Sequence, residues 1–138
     1  MKYLLDTCVL SETVKNTPDQ HVLRWLEARK SHELCSSAMA LGELQRGVIQ
    51  LPESKRRTEL SLWLQALEAS FENRIFSFDT NVARVWAQIT IHAEAQGKSM
   101  ATFDSIIAAT AKAHDCILVT RNARDFANAG IEVLNPWE

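Results

Sequence analysis

The sequence predicts a three-layer α/β/α domain built on a mostly parallel sheet of about five strands. Three observations carry that prediction. Short apolar runs alternate with longer stretches of helical periodicity, which is the pattern of βαβ units. Four glycines and three prolines in 138 residues are too few for turn-rich β architecture and favour long regular elements. Apolar residues at 46% and charged residues at 23% are globular values that exclude a disordered chain or a fibre. The length argues for one domain over residues 1–138, large enough to bury a core without staples.

Taken in order, Tyr3-Leu4-Leu5 is a short apolar run ended by Asp6 and reads as a buried strand. Thr17-Pro18-Asp19-Gln20 predicts a helix start, with Thr17 as cap, Pro18 at the first helical position and Gln20 completing a capping box. The helix then carries Val22, Trp25 and Leu26 on one face. Leu34-Cys35-Ser36 is a weak second strand. A helix from about Ser37 places Leu41, Leu44, Val48 and Leu51 at helical spacing, and its Gly42 and Gly47 predict close packing against another element. Pro52 breaks it. Leu60, Trp63, Leu64, Leu67 and Phe71 then form an amphipathic stripe.

Ile75-Phe76-Ser77-Phe78 is a third strand, followed by Asp79 as a helix cap and Val82, Val85, Trp86 and Ile89 as the next helical face, stopped at Gly97. Phe103, Ile106, Ile107 and Thr110 mark a helix from near Thr102 to about His114. Cys116-Ile117-Leu118-Val119-Thr120 is the strongest strand signal, an unbroken run of the doubly buried kind. After a polar loop with room for one helical turn, Ile131–Leu134 is the fifth strand.

Several function classes are excluded. Asp6 interrupts the N-terminal apolar run before a signal core forms, and no run approaches the length of a membrane span. Cys8, Cys35 and Cys116 are widely spaced, without C-x-x-C, and read as small hydrophobes in a reduced, cytoplasmic protein. The four histidines lack zinc spacing. A net charge of −2 at first argues against a nucleic-acid binder, since such proteins carry a basic footprint.

The acids point elsewhere. In open parallel sheets ligands bind beyond the carboxyl ends of the strands. Asp6 follows the first strand directly, and Thr120, Asn122 and Asp125 follow the fourth. Asp6 closes a buried strand with no predicted helix to reward its charge. Glu43 and Asp104 interrupt the apolar periodicity of their helices close to the helix starts. Asp104 and Asp125 taken alone could each simply favour a helix dipole, and Glu12 reads equally as a supporting group or a solvated one. If the helices begin at one sheet edge, four carboxylates share one crevice. They stay ionised together only with a compensating cation. Hard oxygen ligands suit Mg²⁺ or Mn²⁺, and such a site fits a metal-dependent phosphodiesterase. With those four acids assigned to metal, the remaining charge is mildly basic, so RNA is no longer disfavoured.

Four segments resemble the PIN-domain ribonucleases, and most closely the VapC toxins including the FitB-like members: Leu4–Glu12, Gly42–Gly47, Asp104–Ala111 and Val119–Phe126. The closing Asn135-Pro136-Trp137 is similar to that subgroup's tail. The resemblance implies an endoribonuclease requiring Mg²⁺ or Mn²⁺, a homodimer, and a cognate DNA-binding antitoxin whose tail occupies the active-site groove. It implies Asp6, Glu43 and Asp104 as metal ligands, Asp125 as the fourth acid, Asn122 as a polar wall and Thr120 as a hydroxyl lining the site. Thr7 would act through its backbone. Cys8 departs from the Asn of many relatives. Arg121 and Arg124 flank the acidic loop, to hold phosphates or an antitoxin carboxylate, or as solvated charge. Arg46 is placed to pair with a site acid. The rival readings are a haloacid-dehalogenase-like phosphotransfer enzyme, weakened by Cys8 where a second Asp is wanted, and a non-catalytic PIN-fold partner-binding domain.

Overall fold

A computed structural model describes residues 1–138. Five strands form one sheet: β1 (Tyr3–Leu5), β2 (Leu34–Ser37), β3 (Ile75–Phe76), β4 (Ile117–Val119) and β5 (Val133–Leu134). The order is β3-β2-β1-β4-β5 and every pairing is parallel. All residues of β1 and β4 are buried, as expected for strands covered on both faces. The chain winds outward from β1 through β2 to β3 and then returns to the far side of β1 as β4. The switch point of the sheet therefore lies between β1 and β4, where open α/β sheets bind their ligands.

Six helices cover the sheet: α1 (Thr7–Glu12), α2 (Gln20–Glu27), α3 (Ala38–Gln50), α4 (Lys55–Phe71), α5 (Thr80–Ala95) and α6 (Thr102–Ala113). On one face Leu5, Val9, Val22, Leu44, Leu64 and Phe71 form a core with the α4 stripe packed against it. On the other face Leu4, Leu118, Val82, Ile89, Ile107 and Phe126 form a second core. Leu4 and Leu118 have no exposed surface, so truncating either to alanine removes about 2–5 kcal/mol. Local chemistry sets the helix starts. The side chains of Ser37, Ser54 and Asp79 accept the backbone N–H of Ala40, Arg57 and Val82, each filling an orphan position of a first turn. After α5, Gly97 takes φ +70° and stops the helix as expected.

The structure departs from the sequence reading in instructive places. Helix α1 was not expected, because six residues are too few to show periodicity. The cap of α2 is Asp19, not Thr17: its Oδ1 accepts from His21 and Val22 N–H at 2.8 and 3.3 Å. Pro18 therefore precedes the helix. Strand β3 ends at Phe76, since its partner residue Ser37 already turns away to cap α3, and Phe78 is exposed. Strands β4 and β5 are likewise shorter than their apolar runs. Gly42 and Gly47 meet no neighbour: a Cβ at either would have nothing within 4 Å. No helix is long and apolar enough to cross a membrane.

Candidate active site

The register of β1 against β4 pairs Leu5 with Val119, so the next residues, Asp6 and Thr120, stand side by side at the carboxyl edge of the switch point. Asp6 is buried, and so is Thr120. Thr120 Oγ1 donates to Asp6 Oδ2 at 2.8 Å and itself accepts Asn122 N–H at 3.1 Å. Asp6 Oδ1 accepts Thr7 N–H at 2.8 Å, which makes Asp6 the cap of α1. The helix absent from the sequence reading is thus what the Asp6 carboxylate starts.

Strand β2 and helix α3 bring Glu43 to the same edge, because Ser37 ends the one and caps the other. Thr7 acts through more than its backbone: its Oγ1 donates to Glu43 Oε1 at 3.1 Å. Asp104 lies in the first turn of α6, and Asp125 in the 3₁₀ turn Ala123–Phe126 that follows β4. The electrostatics tie the four acids together. Burial raises the Asp6 carboxyl above its usual range against the opposing bonds from Thr120 and Thr7. Burial also raises Glu43, opposed by the Thr7 bond and reinforced by the charges of Asp6 and Asp104. Asp104 is raised by burial, then by the charges of Asp125 and Asp6. No lysine or arginine forms an ion pair with any of them. Arg46, expected to do so, is exposed and unpaired.

Cys8 packs against the first core, as expected of a small hydrophobe, and also reaches the site. Its half-buried Sγ lies 4.0 Å from Asp6 Oδ2, 3.6 Å from Thr120 Oγ1 and accepts Arg121 N–H at 3.5 Å. Burial pushes its thiol up, so it stays protonated and offers no soft thiolate. Glu12 is neither solvated nor at the site. It is buried, bonded to Lys15 Nζ at 2.8 Å and to Asp19 N–H at 2.9 Å. The Arg121 guanidinium stacks 4.8 Å over the Trp137 ring, a contact whose only sequence signal was the Trp of the tail. Asn122 and Arg124 are exposed beside Asp125.

The oxygens around Asp6 are the carboxylate of Glu43 and the hydroxyls of Thr7 and Thr120, a hard set of the kind that suits Mg²⁺ or Mn²⁺, with the protonated Cys8 thiol as the one soft neighbour. As they stand, no three carboxylates converge closely enough to enclose an ion. A cavity of about 460 Å³ lies elsewhere, at the opposite sheet edge against Met1, Cys116 and Gly130.

Residues 3–132 match the PIN domain family. The chain belongs to that family. This PIN domain is 37% identical to the VapC ribonuclease Y4jK of Sinorhizobium fredii, across 98% of this chain and 97% of that protein. It is 38% identical to Toxin FitB of Neisseria gonorrhoeae, across 97% of each. The crystal structure of FitAcB from Neisseria gonorrhoeae superposes with a TM-score of 0.94 at 38% identity, across 99% of both chains. With the PIN family established, the phosphotransfer alternative falls away.

Proposed function

We propose that this PIN domain is a Mg²⁺- or Mn²⁺-dependent endoribonuclease, the cytoplasmic toxin of a toxin–antitoxin pair. One observation carries the reading: Asp6, Glu43, Asp104 and Asp125 feel one another's charge near the switch point, and none of them is ion-paired with a lysine or arginine. The names of its relatives, a ribonuclease and a toxin, support it. Asp6, Glu43 and Asp104 would hold the ion, with Asp125 as the fourth acid.

When bound, such an ion supplies an acidified water, polarises a phosphoryl oxygen and steadies the leaving alkoxide. The chain supplies the positioning. Thr120 and Thr7 each occupy one oxygen of Asp6 and so fix the plane of its carboxylate. The Thr7 hydroxyl fixes Glu43 through Oε1, leaving Oε2 to orient the attacking water and take its proton. Asn122 completes the wall. Arg121 and Arg124 hold the flanking phosphates, and in-line attack leaves 5′-phosphate and 3′-hydroxyl ends. A homodimer and an antitoxin with its tail in the groove complete the assembly.

The test uses the purified chain, free of antitoxin, with structured RNA. Cleavage should require Mg²⁺ or Mn²⁺, stop with EDTA, and disappear in Asp6→Asn and Asp104→Asn. Cleavage indifferent to EDTA, or kept by both variants, contradicts the reading. A wild-type chain that never cuts RNA favours the non-catalytic partner-binding alternative.

A further inference from the structure

Beside Glu43 the structure leaves a groove of about 410 Å³ between α3 and the start of α6, lined by Met39, Gly42, Glu43, Arg46, Gly47 and Phe103. Its volume is that of a small-ligand site. The α3 residues recur at helical spacing on a face distinct from the buried one, which carries Ala40, Leu44 and Val48.

Three features of this face have no role inside the fold. Phe103 is 48% exposed, although residues 105 and 107–111 of the same helix are buried. Arg46 makes no ion pair, and its guanidinium donates no hydrogen bond within the chain, although Glu43 lies one turn away. Gly42 and Gly47 weaken α3 relative to alanine, yet nothing stands within 4 Å of where either Cβ would be. Internal packing does not need their smallness. What it leaves is open backbone between an aromatic ring and a free cation.

We infer that this groove binds one nucleotide of single-stranded RNA adjoining the bond that is cut: the base stacks on Phe103, the phosphate meets Arg46, and the sugar–phosphate backbone lies over Gly42 and Gly47. The inference rests on the ribonuclease reading, because a groove that opens onto Glu43 is occupied by whatever the carboxylates act on. Aromatic stacking tolerates any base, since every base has a π-face, and a guanidinium matches a phosphate bidentately. The groove therefore selects unpaired RNA rather than a particular sequence.

The experiment measures binding without cleavage. A fluorescein-labelled, mixed-sequence, single-stranded RNA is titrated with the intact chain in EDTA and followed by anisotropy. Phe103→Ala should weaken binding about tenfold or more, and Phe103→Trp should restore it. Arg46→Ala should weaken binding and lower the salt slope by about 0.7, the share of one phosphate on a single strand. Gly47→Val, which fills the floor, should also weaken it. Lys112→Ala, the same charge loss at the far end of α6, should bind as wild type. Phe103→Ala and Arg46→Ala that bind no worse than Lys112→Ala overturn the inference, whether or not a protein segment then proves to fill the groove. The two readings fail separately: an active wild type whose groove variants bind normally overturns the groove alone. A wild type that binds through Phe103 and Arg46 but never cuts RNA overturns only the hydrolysis.

Discussion

Asp6 and Glu12 stand at the two ends of the same short helix, both carboxylates and both buried, at 7% and 3% exposure. At Glu12 the chain supplies everything a buried charge needs. Lys15 lies 2.8 Å away and Asp19 donates its N–H, and these bonds hold the Glu12 carboxyl below its usual range. At Asp6 the chain supplies hydrogen bonds from Thr120, Thr7 and the Cys8 thiol but no cation, Glu43 and Asp104 feel its charge, and the carboxyl is raised by burial. A protein that can satisfy one buried acid six residues along has the means to satisfy the other. On the proposed function, the unbalanced charge at Asp6 is the end of α1 that serves chemistry, and the balanced charge at Glu12 is the end that serves stability.

Breaking the contrast at its functional end should give the largest effect. Asp104→Asn should lower metal-dependent RNA cleavage by at least about 100-fold. It should also raise the thermal midpoint of the metal-free protein at neutral pH, because it removes a charge that its neighbours repel. A variant both inactive and less stable would place Asp104 in the structural class instead. Thr120→Val keeps the shape but removes the donor to Asp6 and the acceptor of Asn122 N–H. It should cost about 10–100-fold in metal affinity or activity, read by cleavage rates across a Mn²⁺ titration.

At the structural end, Glu12→Ala leaves Asp19 N–H and Lys15 without their partner. It should cost about 1–3 kcal/mol in urea unfolding, with cleavage per folded molecule unchanged. Lys15 is half exposed, so Lys15→Ala should cost no more than about 1 kcal/mol. The two ends also carry opposite pH signatures. The Glu12 pKa is lowered on folding, so its stabilisation is present above the ordinary carboxylate value and is lost as pH falls through the folded one. The Asp104 pKa is raised, so the metal-free fold is favoured by its protonated form and loses that advantage as pH rises through the raised value. Unfolding followed against pH in Glu12→Gln and Asp104→Asn should remove the two slopes separately.

Much of this was legible in the sequence, for reasons that individual residues show. The doubly buried strands declare themselves as unbroken apolar runs, and Ser37 and Asp79 cap helices where a short polar side chain precedes helical periodicity. The acids Asp6, Glu43, Asp104 and Asp125 interrupt or terminate those patterns, which singled them out. What escaped is what three dimensions decide. Helix α1 is held by the Asp6 cap and by packing of Val9 and Leu10, not by a periodic face. Strand order, and with it the adjacency of Asp6 and Thr120, depends on the return of the chain past β1. The Thr7 bond to Glu43 spans two elements. Gly42 and Gly47 predicted close packing against another element, and the structure has none within 4 Å of where either Cβ would be; no pattern of residues distinguishes a packed glycine from an open one.

Calorimetric titration of Mn²⁺ into the RNA-free, antitoxin-free protein tests the central contrast most directly. Wild type and Glu12→Gln should bind the ion alike, and Asp6→Asn should lose that binding. Equal binding by Asp6→Asn, or a wild type that binds no Mn²⁺ and still cuts RNA in EDTA, would contradict the account.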